Sequence, residues 1–152
     1  MSIQRVKRHD PLNPNQRSAQ MAKVRGKKNR STEMRVAAYL IRRGVRGWTR
    51  HAADVLGRPD FYFVNERVAL FVDGCFWHGC RYCCRNVPHS RRDFWSEKIE
   101  SNRRRDRRIE RLLRSQGYAV VRIWEHSLGT ERWMTRLRSA LQRAAEVSHL
   151  LR

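Results

Sequence analysis

Asp60, Asp73 and His78 are the side chains of this sequence best suited to breaking a phosphodiester. Carboxylates hold the hard divalent cation, Mg²⁺, that offsets charge developing on phosphoryl oxygens. An imidazole takes a proton from attacking water near neutral pH. Asp60 follows Pro59 at the mouth of an apolar run, where an ionised carboxylate is costly unless it is paired or coordinates a cation. Pro-Asp alone commonly marks a turn; the second acid and the histidine shift the weight towards chemistry. Glu33, expected in the first turn of a helix, could add a direct or water-mediated cation contact, although the helix dipole favours an acid there in any case.

Soft ligands follow at once. All four cysteines, Cys75, Cys80, Cys83 and Cys84, crowd into one short segment. In a reducing compartment such crowding points to a metal rather than to disulfides. Cys75, Cys80 and Cys83 with His126 make a tetrahedral structural zinc set. Cys84 is an equally placed substitute for Cys83, and buried free thiols are the plainer alternative. Phe76 and Trp77 lie between a zinc ligand and His78, where they serve either as wedges entering a base step or as packing for the loop. Trp95 and Phe94 approach from the next helix, with Phe94 read as core. The run Arg103–Arg108, RRRDRR, offers phosphate contacts, Arg105 among them, unless it is simply a solvated helix face.

These residues need a scaffold, and the pattern supplies one. Ser31 or Thr32 is expected to cap a helix running to about Arg43, with Met34, Ala37, Ala38 and Ile41 as its apolar stripe and Gly44 as its stop. A short strand is expected near Arg46–Arg50. Asp60–Val64 and Arg67–Asp73 read as a hairpin turned at Asn65-Glu66. It is apolar on both faces and therefore central in its sheet. Ser90–Asp93 resembles a capping box opening a helix to about Ser115. That helix's stripe is Trp95, Ile99, Asn102, Asp106, Ile109 and Leu113. Its two polar members are a local contradiction of the kind that marks functional places. Tyr118–Trp124 reads as a buried strand and Glu131–Val147 as a closing amphipathic helix. The expected class is α/β, a mixed sheet flanked by helices in the order α-β-β-β-α-β-α.

Lys and Arg number 34 against 14 Asp and Glu, a formal charge of +20 over 152 residues. A polyanion, foremost a nucleic acid, is the partner such a charge implies. Residues 1–30, with nine Lys/Arg and one Asp, read as a basic arm preceding a single domain over residues 31–152. No apolar run reaches the length of a membrane span, and no signal peptide is evident, so a cytoplasmic, nucleoid-associated protein is expected.

GRPDF, FVDGCFWHGC, the segment Phe94–Arg108 and IWEH, together with Arg17–Val36, resemble the very short patch repair (Vsr) DNA mismatch endonucleases. The resemblance spans roughly Arg17–Leu128. It implies a restriction-endonuclease-like core with a structural zinc, and Mg²⁺-dependent nicking of one DNA strand 5′ of the thymine in a T·G mismatch. It makes Asp60 the principal Mg²⁺ ligand, the Val72 carbonyl a second, His78 the histidine acting on water, and Glu33 an acid acting through a metal-bound water. Cys75, Cys80, Cys83 and His126 fall at its zinc positions. Phe76, Trp77 and Trp95 fall at its inserted aromatics. Asp73 stands at a histidine position of the family, which leaves it as either a ligand or a helper base. No lysine follows Asp60 or Asp73 at the spacing of ordinary PD-(D/E)xK nucleases, which puts more weight on His78. The expected partner is double-stranded DNA bound by a monomer, with a functional link to a cytosine methyltransferase. The rival expectations are a nuclease of the same fold with other specificity and a non-catalytic, zinc-stabilised nucleic-acid-binding module.

Overall fold

The computed structural model describes Gln16, residues 31–83 and residues 92–150. The chain divides into two compact units, Met1–Ser31 and Thr32–Arg152. In the first, Gln16 is helical and exposed; the expected basic arm otherwise lies outside the described residues. The sheet and every site below belong to the second unit.

Helix α1 covers residues 31–42. Strands β1 (Trp48–Arg50), β2 (Phe61–Phe63) and β3 (Val68–Asp73) follow, then α2 (Arg92–Ser115), β4 (Ala119–Trp124), a 3-10 turn (Glu125–Gly129) and α3 (Arg132–Leu150). The sheet order is β1-β2-β3-β4, so the β2–β3 hairpin is central, as its two apolar faces require. The first three strands pair antiparallel, while β3 and β4 pair parallel, with α2 in the crossover that a parallel pair needs.

Alternation along the strands sorts the core into two layers. Phe61, Phe63, Val68, Leu70, Val121 and Ile123 face α1 and α3, packing on Val36, Leu40, Trp133, Met134 and Leu137. Tyr62, Ala69, Phe71 and Val120 face Leu113 of α2 and the Ala52–Val55 turn. Two helices end in the same way. Val45 donates to Leu40 and Gly44 to Ile41, and likewise Tyr118 to Leu113 and Gly117 to Arg114. In each the glycine takes the positive φ of a Schellman motif, which fixes where the following strand starts.

Helix α1 is rotated from its expected face. Met34 and Ile41 are 58% and 66% exposed, while Glu33, Val36 and Leu40 are buried. Two stripes at helical spacing overlap here, and the branched Val36 and Leu40 fill the space over Phe61 and Phe63 better than the two alanines would. Ser31 and Thr32 lie inside the helix, and the Thr32 hydroxyl reaches Glu125 Oε1 at 3.4 Å. The expected capping residue Ser90 lies outside the described residues; Asp93 sits in the first turn of α2. Phe94, expected in the core, is 52% exposed, because the α2 stripe runs through Ile99, Asn102 and Leu113 and leaves position 94 outside it.

Candidate active site

The register pairs Arg50 with Phe61 and Asp73 with Trp124. The end of β1, the start of β2 and the ends of β3 and β4 therefore meet at one end of the sheet. Arg50, Asp60, Val72, Asp73, Glu125 and His126 all fall there. In open α/β sheets, the carboxyl ends of parallel strands are where ligands bind.

Asp60 is held by its neighbour strand: its Oδ2 accepts the Val72 backbone N–H at 2.6 Å. Burial pushes its carboxyl up to about 6, with Glu33 and Asp73 adding repulsion. Glu33 of α1, Asp60 and His51 bring one ligand atom each within 4.8 Å of one another. Arg50 Nη2 lies 2.7 Å and His51 Nε2 3.2 Å from Glu33 Oε2. This buried carboxylate, held by one N–H and repelled by two acids, has only the His51 imidazole to offset its charge, and a divalent cation would supply the rest. The oxygens present fit Mg²⁺, and His51 adds a nitrogen.

His78 belongs to a neighbouring group. Its Nδ1 lies 2.6 Å from Asp106 Oδ2 and 3.8 Å from Asp73 Oδ1. Burial alone would raise Asp106; the hydrogen bond with His78 and the charges of Arg122 and His78 outweigh it and hold the carboxyl at about 2. Asp73 gives both oxygens to Arg122, Oδ2 accepting from Nε at 2.8 Å and Oδ1 from Nη2. The same guanidinium lies 3.2 Å from Asp106 Oδ2 and over the Phe71 ring. Arg105 Nη2 donates to Asp106 Oδ1 at 3.0 Å. This is an imidazole oriented by a carboxylate, arranged to accept a proton at its other nitrogen.

Asp60 and His78, expected around one cation, thus occupy two adjoining groups. Asp73 lies between them, close enough to raise Asp60 and to contact His78. A cleft of about 510 Å³ opens beside the second group, lined by Asp73, His78, Asp106, Arg103, Arg122 and Arg136.

The loop after β3 carries the rest. Cys75, Cys80, Cys83 and His126 bring their ligand atoms within 4.8 Å of one another, and Cys84 lies outside the described residues. His126 Nδ1 is 3.2 Å from Cys75 Sγ and 3.5 Å from Cys80 Sγ. Tetrahedral zinc with bonds of about 2.3 Å to sulfur and about 2.0 Å to nitrogen has ligand separations of roughly 3.5–3.8 Å. The His126–Cys80 pair matches this and the His126–Cys75 pair is somewhat closer, and three thiols with one imidazole are a zinc donor set. Burial pushes the Cys75 thiol up to about 12. Cys80 moves the other way, because the backbone at Cys83 and Tyr82 outweighs its own burial. On the same loop Phe76 and Trp77 form a half-exposed aromatic cluster with Trp95 of α2, ring centroids 5.1–5.9 Å apart. Asn102 ties the two elements together, donating to the Trp77 carbonyl at 2.9 Å.

A family profile described as DNA mismatch endonuclease Vsr matches residues 9–85. The type II nicking enzyme V.XorIIP of Xanthomonas oryzae pv. oryzae is 43% identical over 121 residues, 78% of this chain and 86% of the relative. The type II nicking enzyme V.HpaIIP of Haemophilus parainfluenzae is 35% identical, covering 76% and 82%. DNA mismatch endonuclease Vsr of Escherichia coli is 38% identical over 96 residues, covering 63% and 61%. This chain belongs to the Vsr DNA mismatch endonuclease family. It is a DNA-cleaving enzyme of the Vsr type, with DNA as its substrate.

Within this Vsr-type site, sequence reasoning left three residues without a role. Asp106 was visible as a polar residue in an apolar stripe. Arg122 interrupts a buried strand, AVVRIW, and needed an acid on the same face of the sheet. His51 left no signal, because only its backbone, at φ 52°, turns it from the end of β1 towards Glu33. Among the described residues no helix is long and apolar enough to cross a membrane.

Proposed function

We propose that this Vsr-family enzyme nicks one strand of duplex DNA 5′ of the thymine in a T·G mismatch, initiating very short patch repair. One observation carries the reading. A single loop, Gly74–Cys83, joins the aromatic cluster, the Asp106-oriented His78 and three thiols, beside the buried Asp60. A group that distorts a base step is thereby fixed rigidly to a group that handles a proton.

Asp60 with the Val72 carbonyl holds Mg²⁺, and Glu33 supports it; Cys75, Cys80, Cys83 and His126 hold zinc. The Mg²⁺ supplies charge neutralisation on the phosphoryl oxygens. His78 Nε2 takes the proton of the attacking water while Asp106 fixes the ring and balances its charge. Asp73, joined to Arg122, keeps the second group near neutral. Phe76, Trp77 and Trp95 enter the mispaired step, whose weaker stacking makes the distortion cheaper than in matched DNA. Arg105 and its neighbours on α2 contact phosphates, with the basic arm at residues 1–30 adding affinity outside the endonuclease domain. A monomer with one such site cuts one strand, consistent with relatives named nicking enzymes. A core of the restriction-endonuclease type, a cytoplasmic place at the nucleoid and a link to a cytosine methyltransferase complete the reading.

The test is a panel of all mismatched duplexes with Mg²⁺ or EDTA, mapped to the nucleotide. Nicks 5′ of the thymine of T·G, absent with EDTA, are expected. Equal cleavage of matched DNA would move the enzyme to another specificity.

A further inference from the structure

We propose that His51 is a direct ligand of the cation held by Asp60 and Glu33, making a mixed nitrogen and oxygen site that accepts Mn²⁺ or Co²⁺ as well as Mg²⁺. This rests on the cation site proposed above and names a ligand that neither the motifs nor the family likeness supplied.

His51 directly follows β1, opposite Asp60, and its backbone N–H donates to the Asp60 carbonyl at 3.3 Å. Its φ of 52° lies in the left-handed region, which side-chain-bearing residues seldom adopt. There the strand's alternation is broken, and the imidazole turns towards Glu33, with Nε2 3.2 Å from Oε2. One imidazole nitrogen of His51, a Glu33 oxygen and an Asp60 oxygen all fall within 4.8 Å of one another, the spread of ligand atoms around one ion.

A simple ion pair between His51 and Glu33 explains less. Arg50 already meets the same Glu33 oxygen at 2.7 Å, so Glu33 has its counter-charge without an imidazole. Glu33 has a second oxygen and further lone pairs for a cation, so Arg50 need not leave when one enters. Carboxylates alone favour Mg²⁺, whereas an imidazole nitrogen favours first-row transition ions. With the Val72 carbonyl these side chains make four ligands, which leaves two octahedral positions for water or a DNA phosphate. His51 is 53% exposed, so replacing it removes a ligand without opening the core.

The experiment uses the full chain loaded with zinc, with Mn²⁺ as probe, followed by EPR titration and by pulsed EPR for coupling to a bound ¹⁴N. Wild type is expected to show one directly bound imidazole nitrogen. His51→Gln, with an unchanged melting temperature, loses that coupling, and its Kd for Mn²⁺ rises at least about tenfold. His78→Gln keeps the coupling. Unchanged coupling and Kd in His51→Gln overturn the inference. Asp60→Asn separates the two levels. If it abolishes Mn²⁺ binding while His51→Gln has no effect, only the role of His51 fails. If neither variant alters binding, the cation site itself is misplaced.

Discussion

Glu33, His51 and Asp60 on the one hand, and Asp73, His78 and Asp106 on the other, are each two carboxylates and an imidazole with ligand atoms within 4.8 Å. Residue type does not tell them apart; their surroundings do. Asp60 is buried with a single backbone donor and two repelling acids, and rises to about 6. Asp106 is surrounded by His78, Arg122 and Arg105, and falls to about 2. In the first group Arg50 and His51 meet Glu33 and leave Asp60 short of positive charge, whereas in the second the arginines and the imidazole meet the carboxylates directly. Two clusters that look alike in composition are thus suited to two tasks, holding a cation and moving a proton.

Removing the staple under the second group tests the contrast most severely. Cys83→Ser takes away one of the proposed zinc ligands, an exposed thiol that contributes little to the core. The loop bearing His78 and the aromatics should loosen, abolishing nicking and lowering Tm by roughly 10 °C. Mn²⁺ binding at Asp60, which stands on the sheet and α1, should persist. An unchanged Tm and zinc content in this variant would remove Cys83 from the ligand set and point to Cys84.

Asp60→Asn comes next. Loss of the cation should slow nicking by about 10³-fold or more, since a cation supplies several kcal/mol at the transition state. DNA binding in EDTA, read by gel shift, should be unchanged. Parallel loss of binding would assign Asp60 to folding. His78→Ala should cost about 10²–10⁴-fold in kcat, the range of general acid–base catalysis, with Mn²⁺ affinity intact. If His78→Ala instead weakens Mn²⁺ binding, the two groups share one cation and the contrast fails.

A pH titration distinguishes the clusters without mutation. The folded value of Asp60, about 6, lies above the unfolded value of about 3.9, so its ionisation costs stability as pH rises from about 4 through about 6. A cation removes that cost. Mn²⁺ should raise Tm at pH 7.5 and scarcely at pH 5, because below about 6 each pH unit weakens binding by about tenfold. Asp106 has the opposite sign. Depressed to about 2, its contribution is present above about 4 and is lost as pH falls towards about 2. Asp106→Asn should therefore flatten the acid limb of the stability curve and leave the Mn²⁺ effect unchanged.

Much of this scaffold was legible beforehand, for identifiable reasons. FYFV and VALFV are apolar on both faces and can only be central strands. The α2 stripe declared itself with Asn102 and Asp106 inside it, and both prove to be ties to the functional loop. What stayed hidden depended on backbone direction or on partners distant in sequence. The rotation of α1 rests on which of two overlapping stripes fills the core. The turn at His51 is a backbone conformation without a glycine to announce it. The parting of Asp60 from His78 depends on where the ends of β2 and β3 lie relative to α1 and α2, which spacing along the chain does not encode. Arg122 is an unexplained charge in a buried strand until Asp73, two residues beyond its register partner Phe71 on the neighbouring strand, is known to share its face.

Arg122 also gives the finest test of the comparison. Its guanidinium meets both oxygens of Asp73 and one of Asp106 while lying over Phe71, a geometry that a planar fork allows and an ammonium does not. Arg122→Lys keeps the charge and loses the fork, so nicking should fall by less than about tenfold and Mn²⁺ should still bind at one site. Arg122→Met removes the charge shared by the two acids, leaving Asp73 without its arginine and Asp106 with only His78 and Arg105, a step towards the condition that Asp60 already has. If surroundings alone separate the two groups, this variant should bind a second Mn²⁺, and EPR titration should show the stoichiometry rise from one to two. A stoichiometry of one in a folded Arg122→Met variant would mean that ligand geometry, and not the arginine, reserves the second group for the proton.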